Sequence, residues 1–206
     1  MKVLLLNGSP HKNGTTSAAL GEMIRVFESE GVETELVQVG QLDIRSCVGC
    51  GSCSKLGKCV FDDIVNEVAE KFRTADGLVV GSPVYYASAN ATLIALLTRL
   101  FCSTSFPKTM KVGAAVACAR RGGITATFDE LNKFFLISGM PVAAGQYWNG
   151  VHGNASAESA QEDKEGLQQM RTLARNMTFL MKSIALGKEA YGLPEKEPGV
   201  YTNFVR

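Results

Sequence analysis

Four of the six cysteines, Cys47, Cys50, Cys53 and Cys59, fall within thirteen residues of one another. The first three follow a Cys-x2-Cys-x2-Cys run, and four thiols so close in sequence can reach one small centre. That run is the one bacterial 4Fe–4S sites use, although Val60 stands where a proline follows the last cysteine there. Gly49, Gly51 and Gly57 allow the backbone to curl and turn amides toward sulfur. Two other readings stay open: thiols or a disulfide with no metal, and zinc, which normally takes two separated Cys-x2-Cys knuckles. Clustering of this kind favours metal, cluster or redox chemistry over a secreted disulfide scaffold. Cys102 and Cys118 stand alone in apolar surroundings and are expected to be buried small hydrophobes.

A second group of candidates lies in Asn7-Gly8-Ser9-Pro10-His11-Lys12-Asn13-Gly14-Thr15-Thr16-Ser17, between an apolar run and an amphipathic one. A strand running into a helix N-terminus offers free amides and positive potential to a phosphate. Ser9, Thr15, Thr16 and Ser17 add hydroxyl donors. Neither a Walker loop nor a Gly-x-Gly-x-x-Gly pattern is present. Taken alone, the loop reads equally well as turn residues with Thr15 as a simple helix cap. In Ser82-Pro83-Val84-Tyr85-Tyr86, after the third apolar run, a rigid proline and two tyrosines suit the wall of a flat aromatic ligand. The same tyrosines would serve equally to pack the following helix. Arg120-Arg121-Gly122-Gly123 follows the fourth run and faces a flavin, a pyridine-nucleotide phosphate or solvent; Tyr147, Trp148, Asn149 and His152 follow the fifth.

The elements that must position these residues alternate in the βαβ manner. Strands are expected at Lys2–Leu6, Glu33–Val39, Gly77–Gly81, Lys111–Cys118 and Pro141–Tyr147. Helices are expected at Thr15–Glu30, Asp62–Arg73, Ala91–Cys102, Phe128–Ile137 and Ser159–Leu186. The fold class is therefore α/β, a doubly wound five-stranded parallel sheet in the flavodoxin-like order 2-1-3-4-5. Ligands in such sheets bind beyond the strands' carboxyl ends, where these candidates are expected to fall, the cysteine loop among them and near the flavin, directly or through a neighbouring subunit. Residues 1–187 are expected to form one domain with the Cys-rich loop at 46–60. The tail 188–206, with Pro194 and Pro198, lacks periodicity and is expected to be disordered or packed on another subunit.

At 46% hydrophobic and 20% charged residues the chain is ordinary for a folded globular protein. Its net charge of +1 comes from 21 basic and 20 acidic residues without runs of like charge, so neither nucleic acid nor a membrane surface is an expected partner. The apolar start is too short for a signal-peptide core and Ala91–Phe101 too short for a bilayer span, giving the expectation of a cytoplasmic protein.

Together the two loops resemble those of the NAD(P)H-dependent FMN reductase and iron–sulfur flavoprotein family of flavodoxin-like proteins, over roughly residues 1–150. Gly8-Ser9-Pro10 with Asn13-Gly14-Thr15-Thr16 is similar to the family's phosphate loop, and Ser82-Pro83-Val84-Tyr85-Tyr86 to its isoalloxazine loop. The resemblance implies FMN, with Ser9, His11, Asn13, Gly14, Thr15, Thr16 and Ser17 at its phosphate. His11 departs from the usual arginine and Thr15 from a common asparagine. It also implies NAD(P)H as co-substrate, a flavin, quinone or protein acceptor, and a homo-oligomer whose neighbouring subunit completes the site. No catalytic side chain is required, since hydride transfer is the cofactor's chemistry. A non-enzymatic flavin/iron–sulfur electron carrier is the alternative, disfavoured by a near-neutral charge where such carriers are usually acidic. A phosphate-ester or nucleotide-binding module without redox activity is the third.

Overall fold

Strands that read as continuous apolar runs must be covered on both faces. In the computed structural model, which describes residues 1–202 and 204, that is how the chain is arranged. Strand β1 (Lys2–Asn7) sends Leu4 and Leu6 to one side of the sheet and Val3 and Leu5 to the other. On the first side lie helices α3 (Ile64–Thr74), α4 (Ala91–Ser103) and α5 (Ile124–Leu136), through Val68, Phe72, Leu96, Leu100, Leu131 and Phe135. On the second lie α1 (Thr15–Ser29) and α7 (Lys164–Tyr191), through Leu20, Met23, Phe27, Met170, Leu173 and Met177. Two cores thus sandwich one sheet.

The parallel sheet runs β2 (Glu33–Gln38), β1, β3 (Gly77–Tyr85), β5 (Val112–Ala119), β6 (Gly150–His152), the expected 2-1-3-4-5 order. A two-residue strand, β4 (Ser88–Ala89), folds back antiparallel on the end of β3, which extends four residues beyond the expected Gly81. The chain reverses there through a three-residue turn closed by Ala87 N–H donating to Tyr85 O at 2.7 Å, with Tyr86 at φ 56°.

The fifth strand is displaced from the expected Pro141–Tyr147. Only Val142 bridges to Gly113 there, and the paired segment is Gly150–His152 against Ala117–Ala119. The reason is a side chain. Gln169 of α7, itself buried, accepts from Gln146 N and Tyr147 N at 2.9 Å each and donates to Tyr147 O at 2.8 Å. Its amide occupies the space where a Cβ on residue 145 would stand, so Gly145 is needed there. Backbone groups that would have joined the sheet are satisfied by one glutamine instead.

The last helix is also divided, into α6 (Ala157–Glu162) and α7, with Asp163 between them. Asp163 caps α7 by accepting from Gly166 N at 2.9 Å and holds His152 N with its other oxygen at 2.6 Å. Helix α7 continues past Lys188 to Tyr191, where Gly192 at φ 76° stops it. Beyond it the described tail residues are exposed, Val200, Tyr201 and Phe204 among them; positions 203, 205 and 206 of the expected tail lie outside the described residues. Among the described residues no helix is long and apolar enough to cross a membrane.

Candidate functional site

The loop after β1 is organised by Asn7, which is fully buried at the strand's end. Its Oδ1 accepts from Ser9 N at 2.9 Å, an Asx turn, and its Nδ2 donates to Ser17 Oγ at 2.9 Å. Ser17 Oγ in turn donates to His11 O at 3.3 Å, and Ser9 Oγ accepts from His11 N at 3.1 Å. The Thr15 hydroxyl donates to Asn154 O, tying the loop to the segment after β6. Helix α1 begins on Gly14 without a side-chain cap, so the positive end of a 15-residue helix is left open.

That end faces a cavity of about 310 Å³. Ser9, His11, Gly14, Thr15 and Thr16 form one wall and Pro83, Val84 and Tyr85 another. Arg120 with the end of β5, and Gly153 to Ala155, complete it. Cys118, on the floor, is pushed up to about 12 by burial, partly offset by a hydrogen bond with the Thr16 hydroxyl. Burial likewise raises the Tyr85 phenol.

Not every expected residue reaches this cavity. Ser17 is committed to Asn7 and His11. Asn13 is exposed, and its carbonyl accepts from Ala157 N at 3.0 Å. The Ser82 hydroxyl is turned inward, donating to Pro83 O and accepting from Asn90 N, both at 2.9 Å, and so shapes the loop from behind. Tyr86 projects fully into solvent at the hairpin tip. Gly122 and Gly123 line a neighbouring cavity of about 470 Å³ with Arg121, Tyr147, Trp148 and His152. Gly123 has φ 94°, and a Cβ on it would stand 2.7 Å from Val84 Cγ1, so glycine lets the loop after β5 touch the end of β3.

The cysteine loop, between β2 and α3, does not line the cavity at the open end of α1, and its Cys47 lies beside Ser88 and Ala89 of β4. Gly49, Gly51 and Gly57 hold left-handed turns at φ 65°, 70° and 66°, and the short helix α2 (Cys53–Leu56) starts on the third cysteine. Cys47, Cys50, Cys53 and Cys59 line one small pocket, all as free thiols, with Cys47 and Cys50 exposed. Bonds from the Ser52 hydroxyl and amide lower the Cys50 thiol below its usual range. Among the described residues no three His, Cys, Asp or Glu side chains converge closely enough to hold a single metal ion.

Cys102 joins this pocket, contrary to the expectation of a buried small hydrophobe. Leu93, Leu96, Leu97 and Leu100 point the apolar stripe of α4 into the core, and a residue two positions past Leu100 falls on the helix's other side. Arg99, by contrast, is buried and reaches Cys59 Sγ, Asp63 and Arg45 O. Burial would favour its neutral form, but the Asp63 and Cys59 bonds outweigh that and raise its pKa.

Residues 1–155 match the family described as NADPH-dependent FMN reductase. The chain belongs to that family. Among the family member's relatives is an iron–sulfur flavoprotein of Methanocaldococcus jannaschii, 32% identical over 191 residues that cover 89% of this chain and 99% of the relative. In fold it is similar to RosB, solved with a bound 8-demethyl-8-formylriboflavin-5'-phosphate intermediate, at TM-score 0.72 and 17% identity over 100% of this chain and 92% of that one. It is also similar to a flavodoxin from the domain Archaea, at TM-score 0.55 and 16% identity over 85% and 99% of the two chains. This FMN reductase family member is an FMN-binding oxidoreductase with the flavodoxin-like fold.

Four residues that organise its sites escape motif reading: Asn7, Asn66, Arg99 and Gln169. Asn66 clamps the Cys59 backbone from α3, accepting from Cys59 N and donating to Cys59 O, both at 3.1 Å. Two had a local signal. Asn7 ends a strand two residues before Ser9, the Asx-turn spacing, and Arg99 interrupts an otherwise leucine-rich helix face.

Proposed function

We propose that the chain binds FMN with its phosphate at the open end of α1 and its ring against Pro83–Tyr85 and Arg120, and that NAD(P)H is the reductant. The observation that carries this reading is the uncapped N-terminus of α1 opening on the same cavity as the loop after β3. The residues fit the group: amides of α1 and the Thr16 hydroxyl suit a phosphate, and Pro83, Val84 and Tyr85 offer a mostly apolar wall to a ring. Bound FMN would supply the hydride-accepting centre. The chain's own residues bind, orient and exclude water. Asn7 fixes the phosphate loop from beneath, Ser82 fixes the ring loop, and Arg120 brings a cation to the opening.

For the cysteine loop we propose a 4Fe–4S cluster held by Cys47, Cys50, Cys53 and Cys59, a group that would supply one-electron transfer. The donor set supports it: four thiols on one rim, three left-handed glycine turns that curl the chain, and a guanidinium on Cys59 Sγ. The name carried by the relatives agrees. A second copy of the chain, covering the exposed Tyr86, is part of this proposal. Sedimentation equilibrium showing only a 22.1 kDa species at micromolar concentration would remove that part.

The test is anaerobic purification followed by an absorption spectrum and titration with NADH and NADPH. A flavin spectrum bleached by one of them is expected. A colourless protein, or flavin indifferent to both nucleotides, would contradict the proposal.

A further inference from the structure

Arg99 is 1% exposed, and it sits on a helix whose neighbouring inward residues are leucines. A guanidinium held out of water must have its donors satisfied. Here all five are. Nη1 donates to Asp63 Oδ2 at 2.7 Å and to Arg45 O at 3.1 Å, and Nη2 to Asp63 Oδ1 at 2.8 Å. The two remaining N–H groups, on Nε and Nη2, both point at Cys59 Sγ at 3.2 Å. The plane of the group lies over the Phe61 ring, 5.1 Å from its centroid. Asp63, capping α3 through Val65 N, aims the fork, while Asn66 holds the Cys59 backbone against it.

A leucine would fill this part of α4 without any of that polar construction. If the fork served only to staple the loop to the helix, carbonyl or carboxylate partners would suffice. Spending two of five donors on one sulfur places positive charge on one thiol of the candidate cluster site. Hydrogen bonds to sulfur and local charge set the potentials of iron–sulfur centres, and both stabilise the more negative, reduced state.

We infer that Arg99 is a positioning residue that anchors Cys59 as a cluster ligand and, with two N–H···S bonds, holds the cluster's reduction potential up. The inference rests on the cluster reading above. Asp63 aims the fork but brings negative charge near the same centre, so the two residues push the potential in opposite directions.

The test uses the full chain, anaerobically reconstituted, as wild type, Arg99→Lys and Asp63→Asn. Iron, sulfide and FMN are counted, and the cluster is titrated potentiometrically with electron paramagnetic resonance detection. Arg99→Lys keeps a charge but not the fork, and its potential should fall by about tenfold in the redox equilibrium, ~59 mV for one electron. Asp63→Asn retains a helix cap and should shift the potential upward. A mere staple would leave both potentials unmoved, and that result overturns the inference; a fall in iron confined to Arg99→Lys supports the anchoring of Cys59. If Arg99→Lys fails to fold, judged by lost FMN, Arg99→Gln, which keeps N–H donors but no charge, takes its place with the same readout: a lowered potential supports, an unmoved or raised one overturns. Iron near zero in the wild type would overturn the cluster reading and this inference with it; four irons with unshifted potentials would overturn the Arg99 role only.

Discussion

The two candidate sites of this molecule are held in different ways. The cavity at the strand ends is shaped by the sheet: its walls are the first residues after β1 and β6 and the last residues of β3 and β5, with Arg120, held by bonds from Asn7, Ser82 and Thr15. The cysteine loop is held instead by side chains of the helices, Asn66 of α3 and Arg99 of α4. A pocket built on element ends is ready before its ligand arrives. On the cluster reading, a loop with Cys47 and Cys50 exposed would draw added order from what it binds. The two should therefore fail independently.

The largest expected effect tests the sheet-built side. Replacing Gln169 with leucine would leave the amides of Gln146 and Tyr147 and the carbonyl of Tyr147 without their partner. Asn149 Oδ1, which is buried, would lose its partner too; at about 1–3 kcal/mol for a buried group and less for the part-buried ones, a loss of roughly 3 kcal/mol is expected. Urea unfolding would read it; an unchanged midpoint would show that residues 145–149 do not depend on the glutamine. The iron content of the anaerobic protein should not change.

Thr16→Val should act more narrowly. It removes a hydroxyl at the mouth of α1 and should weaken FMN binding by about 1–3 kcal/mol with little effect on folding. Equal FMN affinity across single substitutions of Ser9, Thr15, Thr16 and Ser17 would remove the phosphate assignment. Within that series the structure sharpens the expectation. Ser17 should act through loop shape, since its hydroxyl is bonded to Asn7 and His11.

The smallest effect near neutral pH is a pH dependence that emerges only in alkali. Cys118 is held up to about 12 in the folded state against an ordinary 9.0. Below about pH 9 the thiol is neutral folded and unfolded, so it contributes no slope. From pH 9 to 12 only the unfolded chain loses the proton, and stability must fall as pH rises. Urea midpoints should decline more steeply over this window for wild type than for Cys118→Ala. Parallel declines would mean that the thiol is not sealed from water.

How much of this was legible follows from the same contrast. Val3 to Leu6, Leu78 to Val80 and Val112 to Val116 are apolar on both faces, and such runs announce a covered parallel sheet whatever the loops do. Order and switch point then locate the strand-end cavity. What stayed hidden depends on single polar contacts between residues far apart in sequence. Gln169 displaces the fifth strand from 23 residues away, and Arg99 reaches Cys59 across 40. Neither leaves a periodic trace. Cys102 was misplaced for a related reason: its apolar neighbours in sequence lie on the other side of its helix.

The independence of the two sites is the central claim, and Cys53→Ser tests it most directly. FMN, iron and sulfide would be counted per chain in wild type and variant, both purified without air. The account predicts about four irons in the wild type, a sharp fall in the variant, and one FMN in each. Iron near zero in both would leave the cysteine loop as thiols or a disulfide. Loss of FMN together with iron in Cys53→Ser would contradict the claim that the sheet builds the flavin cavity on its own.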